Sequence, residues 1–245
     1  MKGMGRWAGP GRRAENAVYE LDREALNDVL ESVYQDITTV ADSLGDAELM
    51  RPSRCVGWAI GDVLYHQLLD ARRALRTFAS PSAGTPDVNY VTYWRHYAPD
   101  QGADESAAHA RHVRIVAAAY PPGALAWEWR ETAAAACRAA RACPHQAVTT
   151  QGLVLTTTDF IATVATEAAV HYLDLTVSLT DDQVPPPDPA ALALVRQVLD
   201  GLLGTPMPGG WDDQTYALKG TGRLAVTEQE RAAIGELAGR LPLFG

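Results

Sequence analysis

The sequence has 245 residues, which is enough for one large domain or two small ones with a hydrophobic core. Its 30 acidic residues outnumber its 21 Lys and Arg residues, and the net charge of -9 argues against a nucleic-acid-binding protein, because such a protein needs a basic face. No stretch reaches the roughly 20 apolar residues of a membrane helix, and no apolar segment follows the basic start. We therefore expect a cytoplasmic protein that binds neither nucleic acid nor membranes.

The residue composition is typical of packed helices, since hydrophobic residues make up 47% of the chain and aromatic residues only 7%. The three cysteines, Cys55, Cys137 and Cys143, are odd in number and form no CxxC pair. Neither a disulfide framework nor a cysteine-rich zinc site is therefore predicted. Cys55 is a candidate nucleophile, although a free cysteine more often serves as a small buried hydrophobic residue.

The first part of the chain predicts helices. Residues 1–14 are rich in Gly and Arg and are expected to be a disordered tail outside the fold. Apolar residues recur at helical spacing from Ala17 to Leu44, and a second helix starts near Ile60 and ends before Pro81. Two Ala-rich helices are then predicted, at about 105–120 and 123–142. The aromatic residues between these pairs of helices, whose role the spacing alone does not assign, are Tyr90, Tyr93, Trp94 and Tyr97.

The second part begins with the most strongly helical segment, Phe160 to Leu179, which a run of threonines precedes. The prolines of 184–189 indicate a stiff connector, and a further helix is predicted over 190–203. The sequence TYALKGTGRLAV, residues 215–226, predicts two short strands, and a capping box at Thr227 predicts a last helix. The expected fold is mainly α: a helical bundle over residues 15–183 with a small α/β C-terminal extension over 184–245.

Glu167 and His171 are the strongest chemical signal. At ideal helical steps both lie within the apolar stripe of their helix, with Glu167 about 40° from His171. Burying a carboxylate is costly unless a partner compensates it, and a metal ion would compensate Glu167 and also explain a histidine one turn later. The alternative is that the two side chains bind each other or a buried arginine. A metal site also needs a third protein ligand from elsewhere in the chain.

His66 is a candidate third ligand, but it lies roughly 140° from the centre of the apolar stripe of its own helix. Periodicity alone therefore favours an exposed histidine. The pair His109 and His112 also has ligand-like spacing, yet it follows an acidic, polar stretch and is expected to lie on a solvated helix face.

Three segments carry a resemblance to a known family. They are SRCVGWAIGDVLYH from Ser53 to His66, ATEAAVHYLDL from Ala165 to Leu175, and LKGTGR followed by RLPL near the end. In these segments the chain resembles the mycothiol-dependent maleylpyruvate isomerase family, which belongs to the DinB-like superfamily of metal-binding four-helix bundles. The resemblance implies a DinB-like four-helix bundle as the fold.

The resemblance also implies that His66, Glu167 and His171 are the three metal ligands. Zinc is the expected ion, although two imidazoles and one carboxylate also accept nickel, iron or manganese. Asp174 is a candidate hydrogen-bond acceptor that fixes an imidazole tautomer, and it is alternatively a solvated charge or a fourth ligand. The weak candidates for contacts with a substrate or cosubstrate are Arg54, Trp58, Lys219 and Arg223.

Two departures from the family pattern are visible. Val56 stands where the family usually has proline, in a loop that should not disturb the metal. The segment beyond the bundle has only about 60 residues, so contacts that the isomerase takes from a larger C-terminal domain are expected to be absent. This expectation disfavours maleylpyruvate as the substrate.

The leading hypothesis is a transferase or isomerase that uses mycothiol as cosubstrate and acts on a small electrophile, in detoxification or specialised metabolism. A thiol coordinated to a metal ion loses its proton near neutral pH, so no protein cysteine is needed as nucleophile. A second hypothesis is a hydrolase with metal-activated water and Asp62, Asp70 or Asp174 as general base. A third is a metal-stabilised binding or regulatory protein without turnover. The sequence indicates no oligomeric state.

Overall fold

The computed structural model describes residues 21–97, 103–121, 123–180, 184–208 and 210–244. The predicted N-terminal tail, residues 1–14, lies outside the described residues. The fold is mainly α, as the sequence predicted, and the small sheet found among the described residues lies within 147–156 rather than in the C-terminal extension. The helices are α1 (Arg23–Ser43), α2 (Asp46–Leu49), α3 (Ile60–Phe78), α4 (Ala103–Ala117), α5 (Ala124–Ala142), α6 (Thr157–Thr176), α7 (Pro189–Leu203), α8 (Asp213–Gly220) and α9 (Glu228–Ile234), with 3-10 helices at Thr92–Tyr97 and Gly235–Arg240.

The four long helices α1, α3, α5 and α6 form the bundle. Helices α1 and α3 each pack against both α5 and α6, so that the four surround one core. The apolar spacing of α1 explains its place, because Leu26, Leu30, Val33 and Ile37 all lie buried on its inner side. Helix α4 packs on the outside of α3. Within the described residues, no helix is both long and apolar enough to cross a membrane.

Helix α6 is the most deeply placed element, with 16 of its 20 residues buried. It contacts α1, α3 and α7. Its start follows the threonine run, because the Thr156 side chain accepts a hydrogen bond from the backbone N–H of Asp159. Polar side chains on α6 therefore lie inside the protein, and each of them needs a polar partner there.

A hairpin that the sequence analysis did not predict leads from α5 into α6. Its strands are β1 (Ala147–Thr150) and β2 (Leu153–Thr156), which pair antiparallel with Ala147 opposite Thr156. The two turn residues, Gln151 and Gly152, have φ angles of 49° and 79°. A two-residue turn with positive φ at both positions matches the twist of a hairpin, and it fixes where α6 begins.

The prediction of two strands within 215–226 was wrong. Residues 213–220 form helix α8, whose N-cap Asp212 accepts a hydrogen bond from the backbone N–H of Thr215. Gly220 lies so close to α7 that a Cβ there would be 2.7 Å from Leu199 Cδ1. This glycine therefore permits two helices to approach, whereas the sequence analysis assigned it to a strand connection.

The C-terminal helices share the core of the bundle. Helix α7 packs against α6 and α8, and buried residues of both α7 and α8 belong to the same hydrophobic cluster as the bundle residues. The backbone N–H of Leu243 donates to Gly220 O and ties the end of the described chain to α8. A domain boundary near residue 183 stays a prediction.

Candidate metal centre

His66 on α3 and Glu167 and His171 on α6 meet between their two helices. Glu167 Oε1 lies 3.3 Å from His66 Nε2 and 3.5 Å from His171 Nε2. The two imidazole rings have centroids 4.8 Å apart. The three side chains are 14%, 19% and 11% exposed, respectively. The structure thus brings together the three residues that the sequence analysis predicted as ligands, with one donor atom from each within 4.8 Å of the others.

Glu167 and His171 each shift the pKa of the other. Burial alone would raise the pKa of Glu167, but hydrogen bonds and charge from His171 and His66 outweigh burial and hold that pKa well below its usual range. Burial would lower the pKa of His171, but its hydrogen bonds to Asp174, Cys55 and Glu167 raise that pKa well above the ordinary value. Without a metal ion, the cluster therefore holds a carboxylate together with a protonated His171.

Asp174 lies behind His171, on the far side from Glu167. Its Oδ2 is 2.9 Å from His171 Nδ1, and both of its carboxylate oxygens are 2.9 Å from Arg223 Nε. Burial would raise the pKa of Asp174, but the His171 hydrogen bond and the Arg223 charge bring that pKa to about 2. The side chain is fully buried, so a solvated charge is ruled out. Asp174 is an ionised acceptor that orients the His171 ring.

Cys55 forms a hydrogen bond with the same carboxylate, that of Asp174. Its Sγ donates to Asp174 Oδ2 at 3.1 Å and lies 3.9 Å from His171 Nδ1. Cys55, His171 and Asp174 are thus a second group of ligand types. The Arg223 guanidinium binds the same carboxylate, however, and its positive charge disfavours a cation there. The cluster of His66, Glu167 and His171 forms no ion pair with an arginine or lysine among the described residues and is therefore the better candidate metal centre.

Asp70 approaches the cluster from α3. Its Oδ1 accepts hydrogen bonds from Arg73 Nε and Nη2, both at 3.2 Å. Its Oδ2 is buried and has no hydrogen-bond partner among the described residues, although His66 Nε2 lies 3.5 Å away. A buried carboxylate oxygen that faces a candidate ligand nitrogen without a hydrogen bond is compatible with a cation between them. The sequence analysis named Asp70 only as a general base and gave Arg73 no role.

Two aromatic rings cover the outer side of His66. Trp58 packs edge-on with a ring-centroid distance of 5.4 Å, and His109 Nε2 lies 3.2 Å from His66 Nδ1. Burial and the charge of His66 lower the pKa of His109. His109 and His112 are both exposed on α4, as predicted, and His112 lies beside Tyr65. The sequence analysis missed the contact of His109 with the cluster, because a histidine on a polar helix face gives no signal of a partner on another helix.

The four weak binding candidates have different surroundings. Trp58 packs on His66, and Arg223 is paired with Asp174 as described. Lys219 hydrogen-bonds Glu230 and lies over the ring of Trp211, 5.0 Å from its centroid, so its contacts are in the C-terminal extension. Arg54 donates its backbone N–H to Asp174 O, and its side-chain Nε is buried without a partner in the described part of the chain. A substrate contact by any of the four stays a prediction.

The aromatic segment at 90–97 is held to the hairpin turn by hydrogen bonds and to the C-terminal end of the described chain by stacking. The hydroxyls of Tyr93 and Tyr97 both donate to Gln151 Oε1 at 2.8 Å, and Trp94 stacks on Phe244 with centroids 4.4 Å apart. A cavity of about 750 Å³ lies elsewhere, at the start of α6, and none of the cluster residues lines it. The cluster is a better candidate for the functional site than the cavity, because a reaction requires convergent polar groups and not volume alone.

The fold and the cluster define a class: a mainly α bundle protein with a histidine and carboxylate cluster between two of its helices. The family model described as "Mycothiol maleylpyruvate isomerase N-terminal domain" matches residues 30–176, which is more than half of the chain. The chain therefore belongs to this family. A search among curated proteins gave no match, and neither did a search among solved structures.

Proposed function

We propose that this protein is a metal-dependent enzyme that uses mycothiol as cosubstrate and transfers its sulfur to a small electrophilic molecule, or isomerises such a molecule through reversible addition. The observation that carries the proposal is the convergence of His66, Glu167 and His171 in a chain of the mycothiol maleylpyruvate isomerase family. The three converging donor atoms support the metal site, and membership of the family supports mycothiol as the thiol. A cytoplasmic location, where small thiols stay reduced, is part of the proposal.

The donor set fits a divalent cation. Two imidazoles and one carboxylate are the ligands of many catalytic zinc sites, which keep a further coordination position open, and nickel, iron or manganese would also be accepted. His171 already has the buried acceptor that metal-binding histidines require at the other ring nitrogen, namely Asp174. The Asp70 carboxylate lies beside the cluster, and its Oδ2 accepts no hydrogen bond in the described part of the chain. We propose zinc, held by His66, Glu167 and His171.

A metal ion bound there would lower the pKa of a coordinated thiol, so that the thiolate is present at neutral pH. The protein's own residues support this chemistry in distinct ways. Asp174, itself held by Arg223, fixes the His171 ring with Nε2 toward Glu167. Glu167 supplies a buried negative charge, and Trp58 covers the outer face of His66 and limits the access of water.

Two reaction classes satisfy the proposal. In conjugation, a carbon–sulfur bond forms and a leaving group departs with the bonding electrons. In isomerisation, sulfur adds to one carbon of a double bond, rotation follows, and the sulfur then leaves again. We favour conjugation or thiol exchange, because two of the three candidate cations, Arg223 and Lys219, are already paired with carboxylates. A dicarboxylate such as maleylpyruvate would then have Arg54 as the remaining candidate. Detoxification and specialised metabolism are the settings that such chemistry serves.

The experiment starts with protein purified without a histidine tag. Its metal content is measured by mass spectrometry, and turnover of a chromogenic electrophile is compared with mycothiol, with glutathione and with no thiol. We expect close to one zinc ion per chain and turnover that depends on mycothiol. Glu167→Gln should lose both the metal and the turnover, whereas the matched control Glu31→Gln, on the exposed side of α1, should lose neither. Less than a tenth of a metal ion per chain would overturn the proposal.

For the hydrolase alternative, the contacts of the three candidate bases favour Asp70. Asp62 accepts the backbone N–H of Ala59 as a helix cap, and Asp174 is bound to His171, Arg223 and Cys55. Asp70 has a carboxylate oxygen near His66 that accepts no hydrogen bond within the described residues, and this oxygen is the observation that favours a hydrolase as second candidate. Product formation without any thiol, lost in Asp70→Asn, would support it. A bound metal without turnover of any electrophile or ester would support a binding or regulatory protein.

A further inference from the structure

We infer that His109 is a positioning residue for the metal centre: it holds the ring of His66 by accepting a hydrogen bond from Nδ1, which leaves Nε2 free to bind the ion. The inference rests on the proposed metal site and assigns a new residue to it. His109 lies on α4, outside the bundle, and is exposed. Neither helical spacing nor the family segments indicate this contact.

The two nitrogens of His66 face different partners. Nε2 lies 3.3 Å from Glu167 Oε1 and 3.5 Å from Asp70 Oδ2, on the side where the donor atoms converge. Nδ1 lies 3.2 Å from His109 Nε2, on the side toward α4. His109 is therefore placed at the nitrogen that does not face the candidate centre, and in this arrangement it is not a fourth ligand of the same ion.

The different partners of the two ring nitrogens determine the tautomer of His66. An imidazole that binds a metal ion through Nε2 carries its proton on Nδ1, and ligand histidines donate that proton to a partner that fixes the ring. For His171 the partner is Asp174, whose Oδ2 lies 2.9 Å from Nδ1. For His66 the corresponding atom is His109 Nε2, whose lone pair accepts the proton when the ring is neutral. Each ligand histidine thus has an acceptor at its other ring nitrogen, which for His171 comes from the same helix and for His66 comes from α4.

Ring packing supports the same role. The rings of His66 and His109 are 5.3 Å apart and nearly perpendicular, and the Trp58 ring lies 5.4 Å from His66 and 6.3 Å from His109. Three rings in mutual contact restrict the rotation of His66 about its side-chain bonds. The hydrogen bond then selects which nitrogen faces Glu167, whereas packing against Trp58 alone would accept either orientation of the imidazole.

The test compares three variants by zinc affinity, measured through competition with a chromophoric chelator. His109→Leu removes the acceptor, and His109→Gln replaces it with an amide oxygen at about the same reach. His112→Leu is the matched control, since His112 lies one turn further along α4 and contacts Tyr65 instead. We expect zinc affinity to fall at least about tenfold in His109→Leu and to stay within about threefold of the unmodified protein in His109→Gln and His112→Leu.

A second readout follows the proton itself. In nitrogen-15 spectra of the zinc-loaded protein, the His66 Nδ1–H should give a signal that exchanges slowly with water, is kept in His109→Gln and is lost in His109→Leu. Zinc binding with unchanged affinity and an unchanged Nδ1–H signal in His109→Leu would overturn the inference while leaving the proposed function intact. An unmodified protein that binds no metal would overturn the proposed function and the inference with it.

Discussion

Asp174 Oδ2 lies 2.9 Å from His171 Nδ1, the ring nitrogen opposite to the one that faces Glu167. This contact is one link in a buried polar row that runs across α6 and α3 and ends in an arginine on each side. The order of the row is Arg223, Asp174, His171, Glu167, His66, Asp70 and Arg73. Each outer carboxylate, Asp174 and Asp70, pairs with the neighbouring arginine, whereas the ion pairs of Glu167 within the described residues are with the two histidines.

Replacing the Asp174 carboxylate tests whether zinc affinity and stability depend on the ion pair at one end of the row. In Asp174→Asn, the shape is kept, but His171 loses an ionised acceptor and the buried Arg223 loses its counter-ion. We expect zinc affinity to fall about 10- to 100-fold. We also expect the free energy of unfolding of the metal-free protein to fall by about 3 kcal/mol, because an unpaired charge stays buried. Chelator competition and urea denaturation measure the two effects.

Asp213→Asn is the control for that prediction. Asp213 pairs with Arg196 on a more exposed surface, where side-chain exposure is 36% and 25%. Loss of such a pair should lower the free energy of unfolding by less than about 1 kcal/mol and should leave zinc affinity unchanged. Equal destabilisation by the two variants would show that the Asp174 pair has no special role in the buried row.

The ligands differ in how well the sequence alone could identify them. Glu167 and His171 lie on a helix that is buried nearly all round, so two polar residues in its apolar stripe were a valid physical signal. His66 gave the opposite signal, because its side of α3 carries Asp70 and Arg73. The structure shows that Asp70 and Arg73 are themselves only 13% and 14% exposed, since they pair with each other. Hydrophobic periodicity cannot distinguish a solvated face from a buried polar one.

The two errors in secondary structure have physical causes as well. The hairpin at 147–156 combines β-branched residues with a two-residue turn ending in Gly152, which is a local sequence signal for a hairpin. The segment 215–226 contains two glycines, and the sequence analysis assigned both to strand connections. In the structure, Gly220 serves close packing against Leu199, and Gly222 has a φ of 75°. Which role a glycine serves depends on tertiary contacts that local spacing does not contain.

Gly220→Ala tests this packing role. A Cβ at position 220 would be 2.7 Å from Leu199 Cδ1 and 2.9 Å from Cδ2, so α7 and α8 would have to separate or repack. We expect the free energy of unfolding to fall by about 1 to 3 kcal/mol. Gly239→Ala is the control, because no atom lies within 4 Å of a Cβ there, and it should change stability by less than about 0.5 kcal/mol. Gly220→Ala with unchanged stability would contradict the close approach.

The acid stability of the metal-free protein should depend on Asp174. Its pKa is about 2 in the folded protein against an ordinary value of 3.8. A lowered folded-state pKa contributes stability that is present above pH 4 and is lost as the pH falls toward 2, with a size of about 2 kcal/mol. The difference in unfolding free energy between the unmodified protein and Asp174→Asn should therefore shrink between pH 4 and pH 2. A difference that stays constant over this range would contradict the low pKa of Asp174.

Metal binding should release a proton from His171. The hydrogen bonds of this residue to Asp174, Cys55 and Glu167 hold its pKa well above the ordinary value, so the metal-free protein carries His171 protonated at pH 6. A zinc ion needs the lone pair of Nε2, and one of the two ring protons must leave. Calorimetry at pH 6 in two buffers of different ionisation enthalpy should give at least about one proton released per zinc ion, and zinc affinity should rise with pH.

The raised pKa of His171 also predicts how the free energy of unfolding changes with pH. The predicted change differs between the metal-free and the zinc-loaded protein. A raised folded-state pKa contributes stability that is fully present below the ordinary value of 6.5 and is lost as the pH rises through the folded-state pKa. The metal-free protein should therefore lose stability in the alkaline range, whereas the zinc-loaded protein, whose His171 holds no proton at Nε2, should not.

Asp174→Asn removes an acceptor that raises the pKa of His171, so this variant should release fewer protons per zinc ion at pH 6. Equal release from both proteins would show that the Asp174 carboxylate does not keep His171 protonated.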